Sequence, residues 1–198
     1  MAKTNTPRFG IFLALALVMG LTRLHHFNVV PDASWAVFFL AGFWLRGSAR
    51  WAFPALIVEA VLVDFFVITG QGMNFWTHYC VSPAYWFIPA YFGAMWFGGS
   101  WLAARQRGLR ADTLGLAAIA LLASEAVAYL ISNGSFYWLS DAVPLPRSAA
   151  SWMSNLGDWY LPFLGTTALY VGIGAMLHIA MTLLNRHRGQ RTGFAGAD

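Results

Sequence analysis

The sequence predicts an all-α integral membrane protein: a bundle of six transmembrane helices, with both termini cytoplasmic. Three observations lead there. Hydrophobic types make up 59% of the 198 residues and charged types 10%, against roughly 45–50% and about 25% in a soluble domain. With a mean hydropathy of +0.57, the chain has too few polar groups to cover a surface facing water. Apolar runs near 9–26, 31–45, 51–69, 82–104, 113–133 and 158–184 are separated by polar punctuation. The cations then sort by side. Lys3, Arg8, Arg46, Arg50, Arg105, Arg107, Arg110, Arg186, Arg188 and Arg191 fall on inner segments, and only Arg23 and Arg147 on outer ones. That is a strong positive-inside bias.

The first run reaches only from Phe9 to Thr22 before Arg23, so it must borrow from the residues before it to match the ~30 Å hydrocarbon core. Lys3 and Arg8 precede it as in a signal peptide, but Gly20-Leu-Thr-Arg is a poor cleavage site, so an uncleaved helix is expected. Gly10-x-x-x-Ala14 and Ala16-x-x-x-Gly20 permit close helix approach, within the chain or to another membrane subunit. The second run, Ala33 to Leu45, is short; it tilts or begins near Phe27, and Asp32 or Ser34 can cap it. Its crossing is needed to keep Arg46 and Arg50 inside. The third run is long enough without argument. The fourth opens with Ser82 as cap and Pro83 at the first helical position, and Pro89 is expected to kink it. The fifth is long enough, and Asn155 or Asp158 can cap the sixth. Residues 1–185 form one transmembrane domain and 186–198 a polar, disordered cytoplasmic tail.

Single counts exclude whole chemistries. Lys3 is the only lysine, which rules out a G-x-x-x-x-G-K-[ST] phosphate loop and a Schiff-base lysine in the bundle. Cys80 is the only cysteine, so no internal disulfide and no multi-cysteine metal site can form. The net charge of +4 reflects topology and anionic inner-leaflet lipid, with no call for nucleic acid.

The outer segments, near 23–32, 70–82 and 134–158, carry the informative side chains. His25, His26, Asn28 and Asp32 lie in the first; Asn74, Trp76, His78 and Cys80 in the second; Phe136, Tyr137, Trp138, Asp141, Arg147, Trp152 and Asn155 in the third, with Asn133 beside it. Amides and aromatics with little charge suit a large, flat, mostly neutral ligand, although tryptophan and tyrosine also collect at membrane interfaces. A thiolate is a soft ligand for late transition metals, whereas a free cysteine is most often a buried small hydrophobe. In an extended segment His78 and Cys80 would point the same way. Within the spans, Glu59 and Glu125 lie at mid-depth, as functional carboxylates or as neutral acids bonding between helices. Asp64 lies nearer the outside, where it can floor a cavity. His178 reads as a packed polar group.

A chain of this length with six spans, no ATPase and small residues on its first helix resembles the S-components of energy-coupling factor (ECF) vitamin transporters. Residues 25–45 resemble their first outer loop and second helix. The lone Cys80 before the fourth helix, with Ser82-Pro83 and Tyr85 after it, resembles the BtuM-type cobalamin (vitamin B12) transporters, which are often solitary. That resemblance implies uptake of cobalamin across a bacterial inner membrane. It implies that Cys80 ligates the corrin cobalt, which would also favour loss of cyanide from cyanocobalamin. The corrin would rest on Trp76, Tyr85 and Trp152 and its amide arms would meet Asn28, Asn74 or Asn155. His25, His26, Asp64, His78 and Arg147 complete the expected site by position. The ATPases would come from an ECF coupling module on other chains. Two other readings stay open: a transition-metal ion transporter or sensor using His25, His26, His78 and Cys80, and an intramembrane enzyme using Glu59, Glu125 and His178.

Overall fold

A computed structural model describes residues 6–24, 31–106 and 108–194, with side chains for 8–24, 31–106 and 108–186. The described residues are helical, without strands. Six α-helices follow in order: α1 (Thr6–Leu24), α2 (Ser34–Trp44), α3 (Ala49–Gly70), α4 (Ile88–Arg105), α5 (Ala111–Leu139) and α6 (Ala149–Phe194). Three short 3-10 turns intervene at Arg46–Ser48, Phe75–Thr77 and Pro83–Phe87. By length and composition, the helical stretches Arg46–Gly70, Ala111–Leu139 and Ala149–Arg186 can cross a membrane.

The core is built around α2. A helix that is apolar on every side has to be surrounded, and α2 buries Ser34 to Phe39, Ala41 and Gly42. Phe38 stacks on Phe92 of α4 with centroids 4.0 Å apart and meets Phe53 of α3 edge-on at 5.6 Å. Two glycines set the α2–α4 crossing. A Cβ on Gly42 would lie 2.1 Å from the Trp96 carbonyl oxygen, and one on Gly99 only 1.9 Å from that of Phe39. The backbones therefore touch, and Ser100 Oγ donates to the Gly42 carbonyl at 3.0 Å. Gly98 plays the same part against Ser124 of α5, and Gly174 of α6 receives Leu40. Small residues at crossings give dispersion contacts that apolar area alone does not supply in a lipid-like solvent.

The outside of the bundle is apolar too. Leu17 is 63% exposed, Phe97 70% and Met176 64%, on α1, α4 and α6. A water-soluble monomer rarely presents so much contiguous apolar surface, and the arrangement fits a membrane protein. On α1 the two small-residue pairs differ: Gly10 and Ala14 are exposed, whereas a Cβ on Gly20 would meet Glu59 Oε1 of α3 at 3.2 Å.

Several sequence-based element ends move. Pro89 sits at the start of α4 and does not kink it, because the preceding turn is 3-10 and α4 begins only at Ile88. Ser82 precedes that turn without capping it, and its buried Oγ has no partner among the described residues. Asp32 does serve α2: its Oδ1 accepts from Ser34 N at 2.9 Å and Ser34 Oγ at 2.6 Å. Asn155 and Asp158 lie inside α6, which begins at Ala149 and whose Ser151 N is capped by Ser148 Oγ at 3.1 Å. The expected disordered tail is helical through Phe194.

Candidate functional site

The end of the bundle formed by the C-termini of α1 and α3 and the starts of α2 and α4 carries a four-element polar knot. Arg23, in the last turn of α1, donates from Nε and Nη2 to the two oxygens of Asp64 at 2.8 and 2.7 Å. Its Nη1 donates to Asp32 Oδ2 at 2.8 Å and Ser34 Oγ at 3.1 Å. The Tyr85 hydroxyl donates to Asp64 Oδ2 at 2.7 Å. The forked guanidinium matches a carboxylate two bonds at a time, so a single arginine joins α1, α2 and α3, and Asp64 carries the tie on to the 83–87 turn. The Arg23 and Asp64 side chains are 11% and 9% exposed. Charges this shielded persist only when paired.

Above the knot runs the 71–82 segment. Asn74 caps its first turn, accepting from Trp76 N at 2.9 Å. Phe75 is buried among Phe65, Trp76 and Tyr85, with centroids 5.2–6.0 Å apart. Trp76 and Trp86 stack at 6.5 Å, and both are more than half exposed. The condition for His78 and Cys80 to point the same way, an extended segment, is not met. Val81 N donates to His78 O at 2.8 Å, closing a turn, and Cys80 N approaches the buried His78 Nδ1 at 3.3 Å. The imidazole is thus held by the backbone of the residue it was expected to join as a co-ligand.

The Cys80 thiol is half-buried. Burial pushes it above its ordinary 9.0; Tyr79 offsets part of this by hydrogen-bonding the thiolate, while Asp64 raises it and Arg23 lowers it. Bonding to that thiolate likewise pushes the Tyr79 phenol up. The thiol is therefore neutral near pH 7 and within electrostatic reach of the Arg23–Asp64 pair.

A second polar group joins α5 to α6. Asn133 donates to Asn155 Oδ1 at 2.7 Å and accepts from Trp152 Nε1 at 3.0 Å. Trp152 meets Trp138 at 6.1 Å. Arg147 reaches back to the carbonyls of Trp138 at 2.6 Å, Ser140 and Val143, closing the end of α5. The two groups are bridged by aromatic contacts from Tyr91 through Trp35 and Phe163 to Tyr129, at 5.3–5.7 Å.

The structure thus gathers Asp64, Tyr85, Asn74, Trp76, His78 and Cys80 around one end of the bundle, and Trp152, Asn155 and Arg147 around the α5–α6 loop. Arg147 and the three amides Asn74, Asn133 and Asn155 already serve internal bonds. His25, His26 and Asn28 lie outside the described residues. Glu59, Glu125 and His178 do not form one centre: Glu59 faces α1, Glu125 is bonded by Thr167 of α6 at 3.2 Å, and His178 meets Trp44. Among the described residues no group of three or more His, Cys, Asp or Glu side chains can hold a metal ion. Sequence reasoning missed Arg23 as the organiser of the knot. A lone arginine closing an apolar helix was the available signal, since it must find carboxylates when shielded from water. No family model and no curated protein matches the chain.

Proposed function

We propose that this chain is a six-span protein of a bacterial inner membrane, with both ends cytoplasmic, that binds cobalamin at its outer face and mediates its uptake. The observation that carries the reading is the setting of Cys80. The only thiol in the chain is half-buried in a turn anchored by His78, beside exposed Trp76 and Tyr79 and above the Arg23–Asp64–Tyr85 knot. An apolar rim with a few polar groups suits a large flat ligand, and sulfur is a soft donor for its cobalt. The knot holds the floor in place, while Trp76 and Trp86 offer faces on which an apolar plane can stack.

Because the thiol is neutral, ligation releases its proton as the sulfur–cobalt bond forms. On cyanocobalamin the balanced exchange gives a thiolate–cobalt bond and hydrogen cyanide, with no change of oxidation state. Inward release would engage an ECF coupling module on other chains. The test is the absorption spectrum of the purified protein with cyanocobalamin. A shifted band that disappears in Cys80→Ala is expected; an unshifted band, or a Cys80→Ala protein that behaves like wild type, refutes ligation. Tight binding of a naked ion without corrin would favour the transition-metal reading instead.

A further inference from the structure

At the opposite end of the bundle, where α2, α4, α5 and α6 meet, lies a cleft of about 370 Å³. Its body is hydrocarbon: Phe39, Phe43, Leu102 and Val171 line it. Its polar lining includes Arg110 and His178. Trp44 Nε1 donates to His178 Nδ1 at 3.4 Å, and Phe43 packs edge-on to the ring at 5.3 Å. An imidazole that accepts at Nδ1 keeps its proton on Nε2, where it is a donor. Arg110 is exposed and meets Asp112 through Nε at 3.3 Å, in a pair whose members are 66% and 57% exposed. Such pairs contribute little, so the terminal amino groups remain able to take a phosphate. A second guanidinium stands at the same mouth: Arg186 Nη2 lies 4.0 Å from where a Cβ of Gly108 would be, and Gly108 is part of the lining.

We propose that this cleft holds an acyl chain of an anionic bilayer phospholipid, with its phosphate at Arg110 and Arg186 and an ester oxygen within reach of His178. The apolar body calls for hydrocarbon. The two arginines at the mouth call for an anion, and the neighbouring helix faces are themselves apolar, as a lipid-filled surrounding requires. The inference rests on the chain lying in a membrane and is independent of the cobalamin reading.

The test uses the full chain, delipidated in detergent and titrated with dioleoyl phosphatidylglycerol or dioleoyl phosphatidylcholine under native mass spectrometry. One phosphatidylglycerol should bind about tenfold tighter than phosphatidylcholine: both carry the phosphate, but choline sets a like charge beside the two guanidiniums. Arg110→Gln should remove most of that preference, and Ala117→Phe, which fills the cleft, should weaken both lipids. Because Ala117→Phe can disturb packing, phosphatidylglycerol with brominated tails gives a second reading: it should quench wild-type fluorescence more than that of Trp44→Phe. Equal binding of the two lipids, unchanged preference in Arg110→Gln, or equal quenching in Trp44→Phe overturns the proposal. So does displacement of phosphatidylglycerol by oleate at equal concentration, which would assign the cleft to free fatty acid. Release of the chain from membranes by alkaline carbonate would overturn the membrane reading itself, whereas retention with equal lipid binding overturns the site alone.

Discussion

Replacing Asp64 by alanine should be among the most damaging single changes at this end of the bundle. It removes three bonds of 2.7–2.8 Å, two from Arg23 and one from Tyr85. It leaves a guanidinium that is 11% exposed with Asp32 as its remaining carboxylate partner among the described residues. Breaking a buried pair from one side costs about 3–5 kcal/mol. The Asp32 contact survives and is 28% exposed, so the lower end applies: about 3 kcal/mol, or about a hundredfold in the folding equilibrium. Tyr85→Phe alone removes one bond to a charged acceptor and should cost about 1.5 kcal/mol. In an Asp64→Ala background the same change has no carboxylate left to lose, so a double-mutant cycle should return about 1 kcal/mol or more of coupling. Reversible unfolding of the full chain in mixed micelles, followed by circular dichroism at neutral pH, measures all four corners. A loss below about 1 kcal/mol for Asp64→Ala, or strict additivity with Tyr85→Phe, would refute the knot as a structural tie.

Other changes test other joints. Gly99→Ala places a methyl 1.9 Å from the Phe39 carbonyl oxygen and should destabilise by about 3 kcal/mol in the same assay, whereas Gly10→Ala, with open space around it, should be within about 0.5 kcal/mol of wild type. Glu125 is fully buried with Oε2 unpartnered among the described residues, and Thr167 also donates to Phe163 O at 3.0 Å; Glu125→Leu should therefore be neutral or stabilising by about 1 kcal/mol in thermal unfolding. Maleimide labelling of Cys80 should accelerate with pH through a midpoint above 9.0. Because the folded thiol holds its proton more tightly than the unfolded one, its contribution to stability is present below the ordinary thiol range and lost as pH rises through the folded titration.

The sequence carried the helical class and the approximate place of each helix, because apolar runs and arginine positions report on solvent, which acts on every residue. It also placed Asp64, Tyr85 and Cys80 near one another, since helix ends and the segments between them meet at one end of a bundle. The details it misplaced depend on partners far along the chain. Arg23 entered the reading only as a charge on the outer side; its real neighbours are 9 and 41 residues away. Whether His78-x-Cys80 is extended stayed open in the sequence, because spacing alone does not distinguish a strand from a turn closed by a backbone bond at Val81. Asn155 read as a helix start, but the capping Ser148 lies about two turns earlier, and Asn155 is spent on Asn133. The cleft beside Trp44 and His178 had no local signature at all: it is the space left where four helices of different lengths converge.

The backbone contact between α2 and α4 has a consequence for how the chain is made. The 11 residues of α2 rise about 17 Å, roughly half of a hydrocarbon core. By itself it is too short to cross, and α3, α4 and α6 enclose it, so its own backbone need not match the full depth of a bilayer. In chain order, however, α2 leaves the ribosome second and Gly99 fourth. Until α4 has been made, the face of α2 that Gly99 accommodates is without its mate.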